Sequence, residues 1–114
     1  MDGKTLASLG DDPGIAELSK LIGEYAVALA DTGDTFRVRV YYDILREWDH
    51  YRFELSHYPK TPTQAGPYMP SSPWSSSEEG ALRRAIAAVT DYFAEAKGAG
   101  HQPSTEWLVP NKGW

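Results

Sequence analysis

The chain contains no cysteine, which removes disulfides, thiolate metal sites and cysteine nucleophiles together. It also lacks a long hydrophobic run: the longest unbroken apolar stretch is Tyr25 to Ala30, far short of the roughly 18 residues that mark a membrane-spanning helix. Met1 to Gly14 is polar, without the apolar segment of a signal peptide, so a soluble, cytoplasmic protein with no membrane contact is expected. Basic residues are in the minority, 11 against 16 acidic, for a net charge of −5, and long-range attraction to a nucleic-acid backbone is disfavoured. The only histidines are His50, His57 and His101, in no HxH, HxxxH or HExxH spacing, so no metal site is expected. Nor is there a Gly-x-Ser-x-Gly turn or a phosphate-cradling glycine loop, since Gly98 and Gly100 follow a predicted helix and do not open one. The chain reads as non-enzymatic, with no catalytic residue and no cofactor assigned.

What is present concentrates in the middle. Nine of the 14 aromatic residues lie between Phe36 and Trp74, where alternating strand-like sequence gives way to prolines. Residues 35–60 hold five basic against four acidic residues, so this is the least repulsive region for an anionic partner. At 114 residues, 41% of them hydrophobic, the chain has the material for one core and not two. We expect a loose lead at 1–11, then a single domain at 12–114.

Asp12-Pro13 has the form of an N-cap followed by proline at the first helical position. Ile15, Leu18, Leu21, Ile22, Tyr25, Ala26 and Leu29 follow at three- and four-residue spacing, which predicts a helix over about 13–31, stopped by Gly33. The competing reading makes Tyr25, Val27 and Leu29 one face of a strand and Asp31 to Asp34 a hairpin turn; alanines at 26, 28 and 30 argue against it. From Thr35 the period is two. Phe36, Val38, Val40 and Tyr42 point inward and Arg37, Arg39 and Tyr41 outward, and a second strand sets Tyr51, Phe53 and Leu55 against His50, Arg52 and Glu54. The register that places Arg39 opposite Glu54, Tyr41 opposite Arg52 and Asp43 opposite His50 avoids facing arginines and is preferred.

Pro59 ends the second strand, and a proline- and serine-rich loop runs over 59–74, with Tyr68-Met69 as a candidate short edge strand. A second helix is expected to open on a capping box, Ser75 with Glu78 or Ser76 with Glu79. Its apolar stripe is Leu82, Ala85, Ile86, Val89, Phe93 and Ala96, and it ends near Gly98. Residues 101–114 form an extended tail docked through Trp107, Leu108 and Val109. The fold class is therefore α+β: two helices packed on one face of a small antiparallel sheet, in the order α-β-β-(β)-α. That order is loosely similar to the double-stranded-RNA-binding arrangement. However, Glu78 and Glu79 open the helix where that family carries phosphate-contacting lysines, so neither its function nor membership is inferred.

The candidate site is the outward set Arg37, Arg39, Tyr41, His50 and Arg52, joined by Tyr68 and Trp74 of the loop. Planar cations beside aromatic rings suit recognition of a macromolecule, and the expected role is a binding protein that engages an unknown protein partner through the sheet face and the proline loop. Two other readings use the same residues. One is a nucleic-acid binder on the sheet face; the other is a small enzyme with a pocket around Trp48, His50 and Trp74. An open sheet edge would also admit a second copy, giving a homodimer.

Overall fold

The computed structural model describes residues 6–114. Its strands are β1 (Ser19–Ala28), β2 (Thr35–Asp43), β3 (Tyr51–Leu55), β4 (His57–Pro59), β5 (Trp74–Ser75) and β6 (Leu108–Pro110), with one α-helix, α1 (Glu78–Gly98), between the last two. Strands β1-β2-β3-β5 form an antiparallel sheet in that order, and β4 pairs with β6 in a small second sheet. The architecture is α+β, with one helix on the sheet and not two. Of the expected lead, Met1–Thr5 lie outside the described residues and Leu6–Asp11 forms a 3-10 turn.

The segment expected as the first helix is mostly strand. Ser19–Ala28 pairs with β2 from Ser19↔Asp43 to Ala28↔Thr35, with an irregularity between Leu21 and Gly23. Tyr25 and Val27 turn toward the core and Ala26 and Ala28 toward solvent, so the weak strand propensity of alanine is spent where nothing packs on it. The turn closes with Leu29 N–H to Asp34 O at 2.8 Å and Gly33 N–H to Leu29 O at 2.8 Å, and Gly33 sits at φ 74°, the left-handed region glycine enters without cost. Asp12 makes a local turn instead of a helix cap, accepting from Gly14 N–H at 2.8 Å.

The β2–β3 hairpin has the charge-matched register: Arg39↔Glu54 and Tyr41↔Arg52, with Asp43 N–H donating to His50 O at 2.7 Å. The edge strand beyond it is not Tyr68-Met69 but Trp74–Ser75, paired as Arg52↔Trp74 and Tyr51↔Ser75. Tyr68 lies outside the strands and donates its backbone N–H to Pro59 O at 3.0 Å, an isolated bond that ties the loop to β4.

Helix α1 is capped by Ser77, whose hydroxyl accepts from Gly80 N–H at 2.9 Å, and not by Ser75 or Ser76. Its buried stripe is Ala81, Ala85, Val89, Phe93 and Ala96, while Leu82 and Ile86 are half-buried at its flanks. The alanines let the helix lie close on Phe36, Val38, Val40, Phe53 and Leu55. The chain leaves the main sheet at buried Ser56, whose Oγ accepts from Arg37 N–H at 2.7 Å.

The tail docks as expected and becomes β6, pairing His57↔Pro110 through Pro59↔Leu108. Trp107 is 5% exposed and meets Phe93 edge-on, with centroids 5.1 Å apart. Asn111 Nδ2 donates to Leu55 O at 2.8 Å. Among the described residues, no helix is long and apolar enough to cross a membrane.

Candidate functional site

Because α1 covers one face of the sheet, strand parity leaves the side chains of Arg37, Arg39 and Tyr41 on the other. Register then sets their neighbours: Glu24 on β1 lies beside Arg39, Arg52 on β3 beside Tyr41, and Trp74 on β5 beside Arg52. Two residues arrive from outside the strands. Trp114 in the tail lies under the Arg39 guanidinium at 3.8 Å, and Arg46 in the β2–β3 loop lies over the Trp74 ring at 3.7 Å. With Arg52 at 4.3 Å from the Tyr41 ring, the helix-free face carries three guanidinium–ring stacks.

Carboxylates meet the edges of Arg37, Arg39 and Arg52, while Arg46 Nε donates to Trp48 O at 2.9 Å. Arg39 Nε lies 2.9 Å from Glu24 Oε1 and Arg37 Nη1 3.4 Å from Glu24 Oε2, so one carboxylate serves two arginines. Arg52 does the reverse, with Asp43 Oδ2 at 3.1 Å and Glu54 Oε1 at 3.8 Å. The Arg39 hydrogen bond holds the Glu24 carboxyl below the usual carboxylate range, and the same contact raises Arg39. Desolvation, then a hydrogen bond with Glu54, pushes the Tyr41 phenol up. Four arginines against three carboxylates leave the face close to neutral. What distinguishes it is shape and planarity, with ring and guanidinium planes fixed by their partners.

Arg37, Arg39, Tyr41 and Arg52 thus share one face, which strand alternation had implied, and Trp74 of the loop joins them through β5, but His50 and Tyr68 do not. The His50 ring stacks on Tyr42, centroids 4.8 Å apart and 11° from parallel, and its Nδ1 lies 2.9 Å from Asp43 O. Tyr42 shares the face of Val38 and Val40, so His50 sits on the far side of the sheet from the arginines. It precedes β3 and follows Asp49, whose φ is 49°, so strand alternation does not govern it. Tyr68 packs on Tyr92 of α1, centroids 4.9 Å apart, on the helix side.

Sequence reasoning missed Arg46, Trp114 and Glu24 as members of this face. Glu24 was within reach of the strand reading of β1, which would have aligned it with Arg39. Trp114 carries no local signal, because its contact depends on the tail folding back across the sheet. Asp43 and Glu54 pair with Arg52, whereas the acids that open α1 face elsewhere, Glu78 accepting from the Tyr25 hydroxyl and Glu79 pairing with Arg83.

The proline loop is tied down. Arg84 of α1 donates to Ser72 O at 2.9 Å and also to Trp74 O. Between loop and helix lies a hollow of about 390 Å³ lined by Phe53, Tyr68, Arg84, Asp91, Tyr92 and Glu95 among others. Trp48, His50 and Trp74 do not converge: Trp48 is 67% exposed, and His50 and Trp74 lie on opposite faces. Among the described residues, no three His, Asp or Glu side chains could hold a metal ion. No protein-family model, curated protein or solved structure matches the chain.

Proposed function

We propose that the protein is a non-catalytic binding module whose working surface is the helix-free face of the sheet, and that its partner is another protein. The observation that carries this reading is the row of guanidinium–ring stacks Arg39–Trp114, Arg52–Tyr41 and Arg46–Trp74. Tryptophan, tyrosine and arginine are the residues that dominate binding energy at protein interfaces. Here they are held in place beforehand, so little side-chain entropy remains to be lost on association. The carboxylates that satisfy the arginines weigh against a nucleic-acid partner, which gains affinity from unneutralised cations releasing counterions. The partner surface that fits offers aromatic or aliphatic side chains to the rings and a carboxylate to Arg37, whose side chain is 55% exposed. The proline loop serves as the brace that sets Trp74 in the row.

A photo-crosslinking amino acid at position 37, compared with one at position 83 on the exposed side of α1, tests this in cells. The expected result is a discrete protein adduct from position 37, resistant to nuclease, absent from position 83 and lost when Trp114→Ala is added. Nuclease-sensitive adducts, identical adducts from both positions, or none from position 37 would refute the proposal.

A further inference from the structure

Strand β1 is the outer strand of the main sheet, paired only with β2 among the described elements. Which of its backbone groups are left over follows from the ladder. Leu29 N–H bonds Asp34 O at 2.8 Å, and in an antiparallel pair bonded and unbonded positions alternate. Val27, Tyr25 and Gly23 therefore turn their N–H and C=O groups toward β2, and Glu24, Ala26 and Ala28 turn theirs outward. The other side of β2 agrees, with Asp43 N–H on His50 O at 2.7 Å and Ser56 N–H on Arg37 O at 2.9 Å.

Natural sheets protect such edges with charges, prolines or bulges. The first half of β1 has these devices, in Lys20, Glu24 and the irregularity between Leu21 and Gly23. The second half has none. Tyr25 to Ala28 opens the longest apolar run in the chain, and its outward-turned residues Ala26 and Ala28 are exposed and small enough to let another strand approach.

We infer that this edge pairs with the same edge of a second copy, antiparallel about a twofold axis through Ala26. That register is the one that engages all three outward-turned residues: Ala26 meets Ala26 of the second copy, and Glu24 meets Ala28 of the second copy in both directions. No like charges oppose each other. On the helix side Tyr25 meets Val27 of the second copy, so two half-buried side chains from each protomer gain cover. The axis stands perpendicular to the sheet, so both helix-free faces lie on one side of the continuous sheet. The joint spans only residues 24–28 of each chain, at the small end of specific interfaces, so the association depends on concentration. It stands independently of the reading of the arginine face.

Sedimentation velocity over a concentration series should show the mass rising to twice the 12.7 kDa of one chain. Ala26→Pro removes an outward N–H that the β1–β2 ladder does not use, so the fold is retained, as far-UV circular dichroism will show, and the self-association is lost. Should that variant lose its fold, Ala26→Lys gives the same readout by setting two ammonium groups across the axis. In a chain free of cysteine, Ala26→Cys should cross-link under mild oxidation, because opposed Cα atoms stand about 5.5 Å apart. Ala28→Cys should not, its two copies being about 13 Å apart along the strands. A monomer at every concentration, undiminished association of Ala26→Pro, or equal cross-linking of the two cysteine variants would overturn the inference.

Discussion

Replacing Trp107 by alanine asks whether the tail is a structural element or a decoration. The indole is 5% exposed, stands edge-on to Phe93 at 5.1 Å, and its own carbonyl accepts from Lys60 N–H at 2.8 Å. Truncating a buried tryptophan to alanine costs about 3–5 kcal/mol through lost apolar burial and the cavity left behind, and the aromatic pair accounts for about 0.5–1.5 kcal/mol of that kind of contact. A domain of this size is stable by about 5–15 kcal/mol in total, so a large share goes. Trp114 is the matched control in the same tail. Its ring lies under a half-open Arg39, a contact worth about 0.5–1 kcal/mol at such a site. In urea, followed by far-UV circular dichroism, Trp107→Ala should lower the midpoint by roughly 2–3 M and Trp114→Ala by less than about 1 M, for m-values of this size class. Equal shifts for the two variants, or a Trp107→Ala loss below about 1 kcal/mol, would show that burial and edge-on packing do not anchor the tail as argued.

Three further outcomes are expected. Gly33→Ala forces a side chain into the left-handed region at φ 74° and should cost about 1–2 kcal/mol by chemical denaturation, although no atom lies within 4 Å to clash with the added carbon. Ser77→Ala should cost about 1 kcal/mol as the loss of a cap, whereas Ser76→Ala, one residue earlier, should leave the urea midpoint unchanged; the reverse ranking would place the cap at Ser76. Glu24 has a folded pKa depressed from 4.5, chiefly by its hydrogen bond with Arg39. A depressed carboxyl contributes stability that is present above its unfolded pKa and lost as pH falls through the folded one. The stability gap between wild type and Glu24→Gln should therefore be open at pH 7 and close as the pH falls below 4.5; a gap unchanged at low pH would rule out this linkage.

Much of the site and part of the fold could be read without coordinates, and the failures share a cause. The β2–β3 register was readable because its alternative sets Arg39 against Arg52, a conflict visible in the residues themselves. Helix α1 was readable to within a residue or two at its start, since two glutamates behind a run of serines leave few places for a cap. Residues 13–31 were misread because Tyr25 and Leu29 satisfy both a helical stripe and a strand face. The local discriminator, the alanines at 26, 28 and 30, points to the wrong reading; the decision is made by β2, which offers a complete ladder of partners from Thr35 to Asp43. His50 was placed on the arginine face by alternation, but it lies outside β3, so alternation has no hold on it; Tyr68 was read as part of the loop, and its packing on Tyr92 of α1 depends on where that loop crosses the helix.

Taken alone, the sequence determines an α+β chain without thiols, with a charge-matched hairpin whose arginines and Tyr41 share a face, a helix after the proline loop, and a docked tail. Those features follow from periodicity, capping and charge, which act over a few residues. The tertiary structure alone decides that β1 is a strand, that Glu24 and Trp114 close on Arg39, that Arg46 covers Trp74, and that the alanine half of β1 is left as an edge. Each of these depends on groups far apart in the chain meeting at hydrogen-bonding or van der Waals distance, and local preferences worth tenths of a kcal/mol per residue cannot encode them.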